Sequence, residues 1–328
     1  MKTSILGRTG ATVSSIGLGT WQLGADWGDV SEKDAHAVLD AAVESGVTIF
    51  DTADAYGDGR SEQLIARYLQ SRPDVSVFVA TKMGRRVEQT VENYSTENFR
   101  AWSDRSRRNL GVDTLDLVQL HCPPTPVYSI DRVYDDLDQL VDEGVMKNYG
   151  VSVETAEEAL TAIARPNVAS VQIVLNAFRL KPLDAVLPAA IAAGVGIIAR
   201  VPLASGLLSG RYTKDTVFAE NDHRTYNRDG SHFDQGETFA GVDYATGVEA
   251  AVEFSALAAE HGLAPATAAL AWLAQLPGVS TVIPGARSPE QARGNAAAGE
   301  VDELGAEFHA RVVELYDRRF RAAVHERW

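Results

Sequence analysis

Cysteine is nearly absent from these 328 residues: Cys122 stands alone, which excludes an intramolecular disulfide and any metal site built from several thiolates. Lysine is scarce too, with six among 30 basic residues, and these face 45 acidic residues for a formal charge of −15. Such an acid excess works against phosphate-backbone attraction, so nucleic acid and anionic membrane surfaces fall away as partners, while a local positive pocket for a small anion stays open. Long apolar runs are also missing. The N-terminal MKTSILGRTGATVSSIGLGTW has no apolar stretch after its lysine, and no later window reaches spanning length without a charge or a turn residue, so a cytoplasmic, reducing setting is expected. No Gly-x-Gly-x-x-Gly element separates an early strand from its helix, which counts against a doubly wound dinucleotide fold, and no low-complexity linker divides the chain.

What is present is a core-forming composition, 45% hydrophobic, arranged as short β-branched runs alternating with longer periodic segments. Strands are expected at 16–19, 47–51, 75–82, 115–121, 145–153, 170–178, 195–203 and 279–284, several of them apolar throughout, as strands buried on both faces should be. Helices are expected at 32–44, 62–69, 97–110, 132–142, 156–164 and 183–192. Ser31, Ser61, Thr96, Asp131 and Thr155 stand at N-cap positions, and Glu158 follows Thr155 at capping-box spacing. A helix–glycine–strand grammar recurs at Gly46, Gly144 and Gly194. Eight such units predict an α/β fold, a closed (β/α)8 barrel of the TIM type, as one domain over 1–328. Turn signals within 1–14 suggest a hairpin capping the bottom of that barrel. The aperiodic segment 210–247, with His223, Arg224, Tyr226, Phe233 and Phe239, would follow the seventh strand and lie over the C-terminal face, though an ordinary surface loop is an equal reading. A final helix is expected over 303–326.

Barrel active sites gather at the C-terminal ends of strands. Here those ends carry Asp51, Lys82 and His121, with Tyr56 five residues beyond Asp51. Each has a bland explanation: an aspartate can cap a turn, and a single histidine is usually surface or satisfied core. Their joint placement on three neighbouring strands favours a site. A lysine ammonium beside a tyrosine favours the phenolate and should lower a pKa that is ordinarily about 10. Asp51 would hold Lys82 charged, His121 would orient a substrate carbonyl, and Tyr56 would supply or remove the proton. No metal-ligand spacing and no serine elbow accompanies them, so the constellation lacks an electron source, which a bound redox cofactor would provide.

The motifs LGRTG, GLGTWQLG, DTADAYGDGRSE, ATKMG, DLVQLHCPP, NYGVS, VQIVLNAF, VPLASGLLSG and VIPGARSPEQ run in order along nearly the whole chain, and with them the sequence resembles the aldo-keto reductase family. The resemblance implies a barrel that binds NADP or NAD without a Rossmann domain and a catalytic tetrad of Asp51, Tyr56, Lys82 and His121, with Tyr56 as general acid in carbonyl reduction and general base in alcohol oxidation. It further implies that Ser152 and Gln172 meet the nicotinamide carboxamide, that Asp51 approaches the nicotinamide ribose, that Pro202, Leu203, Ser205, Gly206 and Leu208 cover the pyrophosphate, and that Gly285, Arg287, Gln291 and Asn295 hold the adenosine end. Arg287 would select NADP, with NAD possible. Trp21, Trp27, Tyr56 and His121 would border the substrate.

Three positions depart from the family pattern. Val153 stands where many relatives have asparagine, Leu175 replaces a common tyrosine, and Arg200 occupies a position where many members stack an aromatic ring on nicotinamide. Arg200 would stack through its guanidinium or reach a phosphate. The expected function is NAD(P)-dependent oxidoreduction of a small aldehyde, ketone or alcohol. The competing reading is a noncatalytic, cofactor-binding regulatory subunit of the same fold. Oligomeric state has no legible signal.

Overall fold

Eight parallel strands follow one another around a single sheet in chain order: β1 (Leu18–Gly19), β2 (Ile49–Asp51), β3 (Phe78–Met83), β4 (Leu117–His121), β5 (Tyr149–Ser152), β6 (Val168–Val174), β7 (Gly196–Arg200) and β8 (Val279–Val282). These come from a computed structural model that describes residues 1–24 and 30–328. The sheet closes on itself: Gly17 N–H donates to Val282 O at 2.8 Å, Val282 N–H to Ser15 O at 3.0 Å, and Gly19 pairs with Gly285. Nearly every strand residue is buried, which is why the runs are apolar rather than alternating. Helices cover the outside, and among the described residues none is long and apolar enough to cross a membrane.

The N-terminal strands Thr3–Ile5 and Thr12–Ser14 form the expected antiparallel hairpin. Its Leu6 and Val13 are fully buried with Ile49, Ala80, Leu117 and Ile198, which plugs the barrel at the end opposite the site. The chain enters its strands through Gly46, Gly144 and Gly194, all at positive φ, as the recurring grammar predicts. Ser31 accepts from Asp34 N–H, and Thr155 and Glu158 form a complete capping box.

Several boundaries differ from expectation. Ser61 is not an N-cap: the helix Arg60–Ser71 starts after Gly59, and the Ser61 hydroxyl is drawn instead into contact with Thr20 and Thr52. Thr96 and Asp131 are first helical residues behind Ser95 and Ile130. The segment 183–192 begins only at Val186, because Pro188 is tolerated in a first turn and no deeper. Helices Tyr244–Glu260 and Pro265–Ala274 escaped the sequence pattern, since alanines on every face blur the helical period. The last helix runs Gly305–Tyr316 and then passes into a π turn at Asp317–Arg321 that sets Phe320 on Phe178, 4.7 Å between ring centres.

Candidate active site

Register places the polar strand ends side by side: Lys82 opposite Gln119, and His121 opposite Ser152. Tyr56 is brought back over them by a tight turn. Gly57 has φ +58°, and a Cβ there would lie 1.7 Å from Gly24 O, so the turn closes only with glycine. The turn is braced by Asp54 N–H on Lys82 O (3.1 Å), by Ser61 N–H on Tyr56 O (3.2 Å) and by Arg105 on Asp54 O (3.2 Å).

Lys82 is buried, and its ammonium has three acceptors: Asp51 Oδ1 at 2.5 Å, Thr52 O at 2.9 Å and Tyr56 Oη at 3.2 Å. Burial works against this charge, but the Asp51 carboxylate, with Tyr56, outweighs it and raises the pKa. The expected lowering at Tyr56 is overturned. Burial pushes the phenol above 10, and the opposing pull of Lys82 only moderates this, because sequence supplies the neighbours but not the loss of water. The phenol is therefore held protonated at neutral pH. His121 sits edge-on to the Tyr56 ring, 5.9 Å between centres, and burial together with Arg85, Lys82 and Arg200 holds its pKa well below 6.5, leaving a neutral imidazole.

A cavity of about 750 Å³ opens from this cluster. Of the residues expected around a cofactor, Asp51, Gln172, Arg200, Pro202, Leu203, Ser205, Gly206, Gly285, Arg287, Gln291 and Asn295 line it, and so do Trp21 and Tyr56. Ser152 and Leu208 do not. The Ser152 hydroxyl is buried and accepts from the Cys122 thiol at 3.4 Å, while Leu208 is fully buried in the core. His121, edge-on to Tyr56, is not among the lining residues, and Trp27 lies outside the described residues. Gln291 and Asn295 use their side chains on the neighbouring turn: Gln291 Oε1 accepts from Arg287 N–H at 2.8 Å, and Asn295 donates to Gly285 O at 3.1 Å. That turn presents the exposed Arg287 at the N-terminal end of helix Pro289–Ala297. Arg211, Arg224 and Arg287 share this cavity in a chain of net charge −15, a donor set suited to an elongated polyanion such as a dinucleotide.

Beyond β7 the backbone is strained. Val201, Ala204 and Ser205 have φ of 53°, 47° and 54°, and for a β-branched valine this is a rare conformation. Asn176 holds it by donating to Val201 O at 3.0 Å. The long segment then folds back across the cavity, where His223, Arg224 and Glu237 join the wall. Ser205 fastens it: its hydroxyl donates to Glu237 O and accepts from Phe239 N–H, both at 3.0 Å.

Arg200 has partners that neither expectation included. Its guanidinium, 9% exposed, reaches Glu154 at 2.9 Å, Glu237 at 3.4 Å and Val153 O at 3.0 Å, and Arg85 pairs with the same two carboxylates. This engagement takes it away from the phosphate role, while its position on the wall remains. Burial outweighs Arg200 at Glu154 and, with Glu237 beside it, raises that carboxyl to about 7; at Glu237 the two guanidiniums win over burial and lower it. Cys122, Glu154 and Glu237 have ligand atoms within 4.8 Å of one another, but the guanidiniums already neutralise the carboxylates and burial pushes the thiol to about 12, a poor fit for a cation. Sequence reasoning missed Arg85, Glu154, Glu237 and Gln119. Glu154 was findable as a strand-end residue and Gln119 as a polar residue inside an apolar strand; Glu237, in an aperiodic segment, gave no signal.

Residues 15–317 match the aldo/keto reductase family. Among curated relatives, the chain is 29% identical over 272 residues to the aldo-keto reductase yakc [NADP(+)] of Schizosaccharomyces pombe, covering 80% of this chain and 76% of that one. It is 27% identical over 315 residues to the NADH-specific methylglyoxal reductase of Escherichia coli, covering 91% and 93%. Among solved structures, the glycerol dehydrogenase AKR11B4 from Gluconobacter oxydans superposes with a TM-score of 0.78 at 27% identity, over 94% of this chain and 93% of that one.

Proposed function

The chain belongs to the aldo/keto reductase family and is an NAD(P)-dependent oxidoreductase of carbonyl and alcohol groups; from that premise we propose that Tyr56 is its acid–base residue, with NADP(H) preferred and NAD(H) possible. When bound, the reduced dinucleotide supplies the hydride and the oxidised form accepts it. In reduction, Tyr56 Oη gives its proton to the substrate oxygen as negative charge builds there, yielding the alcohol and a phenolate. Lys82 stabilises that phenolate, and Asp51 keeps Lys82 charged and aimed. The neutral His121 donates a hydrogen bond that fixes the carbonyl direction. Gln172 meets the nicotinamide carboxamide, and Arg287 pairs with the 2′-phosphate. Trp21 flanks the substrate. The whole of 1–328 acts as one unit, in the cytoplasm.

The observation that carries this reading is the use of all three Lys82 donors, one of them on the Tyr56 hydroxyl at 3.2 Å. Tyr56→Phe keeps the ring and removes the proton. Turnover with a carbonyl panel should fall by roughly 10²–10⁴ while cofactor affinity stays within a few-fold. Wild-type turnover in that variant would remove Tyr56 from the role, and cofactor binding without turnover in the native protein would favour the noncatalytic, regulatory reading.

A further inference from the structure

In the middle of β4, every residue of which is buried, Gln119 is fully enclosed and does not reach the cavity. A neutral amide in such a place is costly unless its groups are satisfied. Its partners are Asp51 Oδ2, to which Gln119 Nε2 donates at 3.4 Å, and Gln172 Nε2, which donates to Gln119 Oε1 at 3.3 Å. Gln172 Nε2 also donates to Asp51 Oδ2 at 2.7 Å.

The orientation of both amides follows from the carboxylate. Ionised Asp51 accepts only, so each glutamine must turn its nitrogen toward it. One Gln172 N–H is then spent on Asp51 and the other on Gln119. What Gln172 retains for the cavity it lines is its carbonyl oxygen alone. We propose that Gln119 is a positioning residue that makes Gln172 a pure acceptor, so that the site takes a ring bearing a carboxamide, whose NH₂ donates, and rejects one bearing a carboxylate. This rests on the reading of Gln172 as the residue that meets the nicotinamide.

Without Gln119, the second Gln172 N–H loses its acceptor and becomes available to the ligand. A carboxylate in place of the carboxamide would then find a donor where the native site offers only an oxygen.

The test compares, by titration calorimetry, the dissociation constants of NADP⁺ and of its nicotinic-acid analogue for the native protein, Gln119→Met and Gln172→Leu. The native protein should favour the carboxamide form, and Gln119→Met should shrink that preference by roughly tenfold, the worth of about one hydrogen bond. A purely structural role for Gln119 would weaken both ligands alike and leave the ratio unmoved, which overturns the proposal. Absence of any preference in the native protein, or a preference that survives Gln172→Leu intact, instead defeats the assignment of Gln172 itself. Gln119→Leu, smaller and without even the weak acceptor of a thioether, provides the same comparison where the methionine variant does not fold.

Discussion

Replacing Asp54 by asparagine should stabilise the protein at alkaline pH far more than at acid pH. Asp54 is fully buried inside the turn that carries Tyr56. Burial first, and the nearby Glu62 second, raise its pKa from 3.8 to about 7 against the opposing pull of Arg86, Arg105 and the Ala55 backbone N–H. The sign follows from linkage. The folded protein holds the proton up to about 7 while the unfolded chain releases it near 3.8, so the fold is favoured below 3.8 and loses stability as pH rises through that window. The difference corresponds to about 4 kcal/mol lost above pH 7, at 1.36 kcal/mol per tenfold proton step. Asparagine cannot ionise, so it escapes this loss, although its amide pays a pH-independent desolvation cost in the same enclosure. The diagnostic is therefore the difference between Asp54→Asn and native stability as a function of pH. Urea denaturation at pH 5, 6, 7 and 8 should show that difference growing in favour of the variant by about 2–3 kcal/mol from end to end. A constant offset across the series would mean that Asp54 is ionised throughout, and that the arginines, not burial, set its state.

Arg287→Ala should weaken NADP(H) by one to two orders of magnitude while changing NAD(H) little, and should reduce the salt sensitivity of NADP(H) binding; equal losses for both cofactors in direct titrations would assign Arg287 to a shared contact. Glu237→Gln leaves Arg85 and Arg200 with only Glu154 between them, and breaking such a buried pair should cost about 3–5 kcal/mol, seen as a lower urea midpoint; an unchanged midpoint would deny the ion cluster any part in holding the segment. The same variant should alter relative turnover across a substrate panel, because Glu237 lies on the cavity wall beside His223.

The barrel was legible because its grammar is local. Glycines that end helices, the Thr155–Glu158 box and doubly buried strands each announce themselves within a few residues, and once strand ends are known, Asp51, Lys82 and His121 fall into line. What could not be read depends on contacts distant in sequence. Ser61 has the residue type of a cap, but Thr20 and Thr52 claim its hydroxyl. Arg200 invited a cofactor role because its carboxylate partners come from 154 and 237, and nothing in the segment around 237 fixes where it lands. The Tyr56 pKa departs from expectation for a related reason: the charge beside the phenol is written in the sequence, whereas the water it loses depends on the entire surrounding fold.

The fastening of the long segment bears on how this protein could be re-engineered. Loops over a barrel are commonly treated as exchangeable modules, grafted from one enzyme to another to import a preference. Here the segment contributes Glu237 as the fourth corner of a charge square whose other corners, Arg85, Glu154 and Arg200, belong to the scaffold. A donor loop lacking an acid at that position would leave two guanidiniums sharing one carboxyl group on the wall of the cavity, near the histidine edge-on to Tyr56. The scaffold thus admits only a restricted set of replacements, and a successful transplant would carry either an acidic residue in register with 237 or compensating neutral substitutions at 85 and 200.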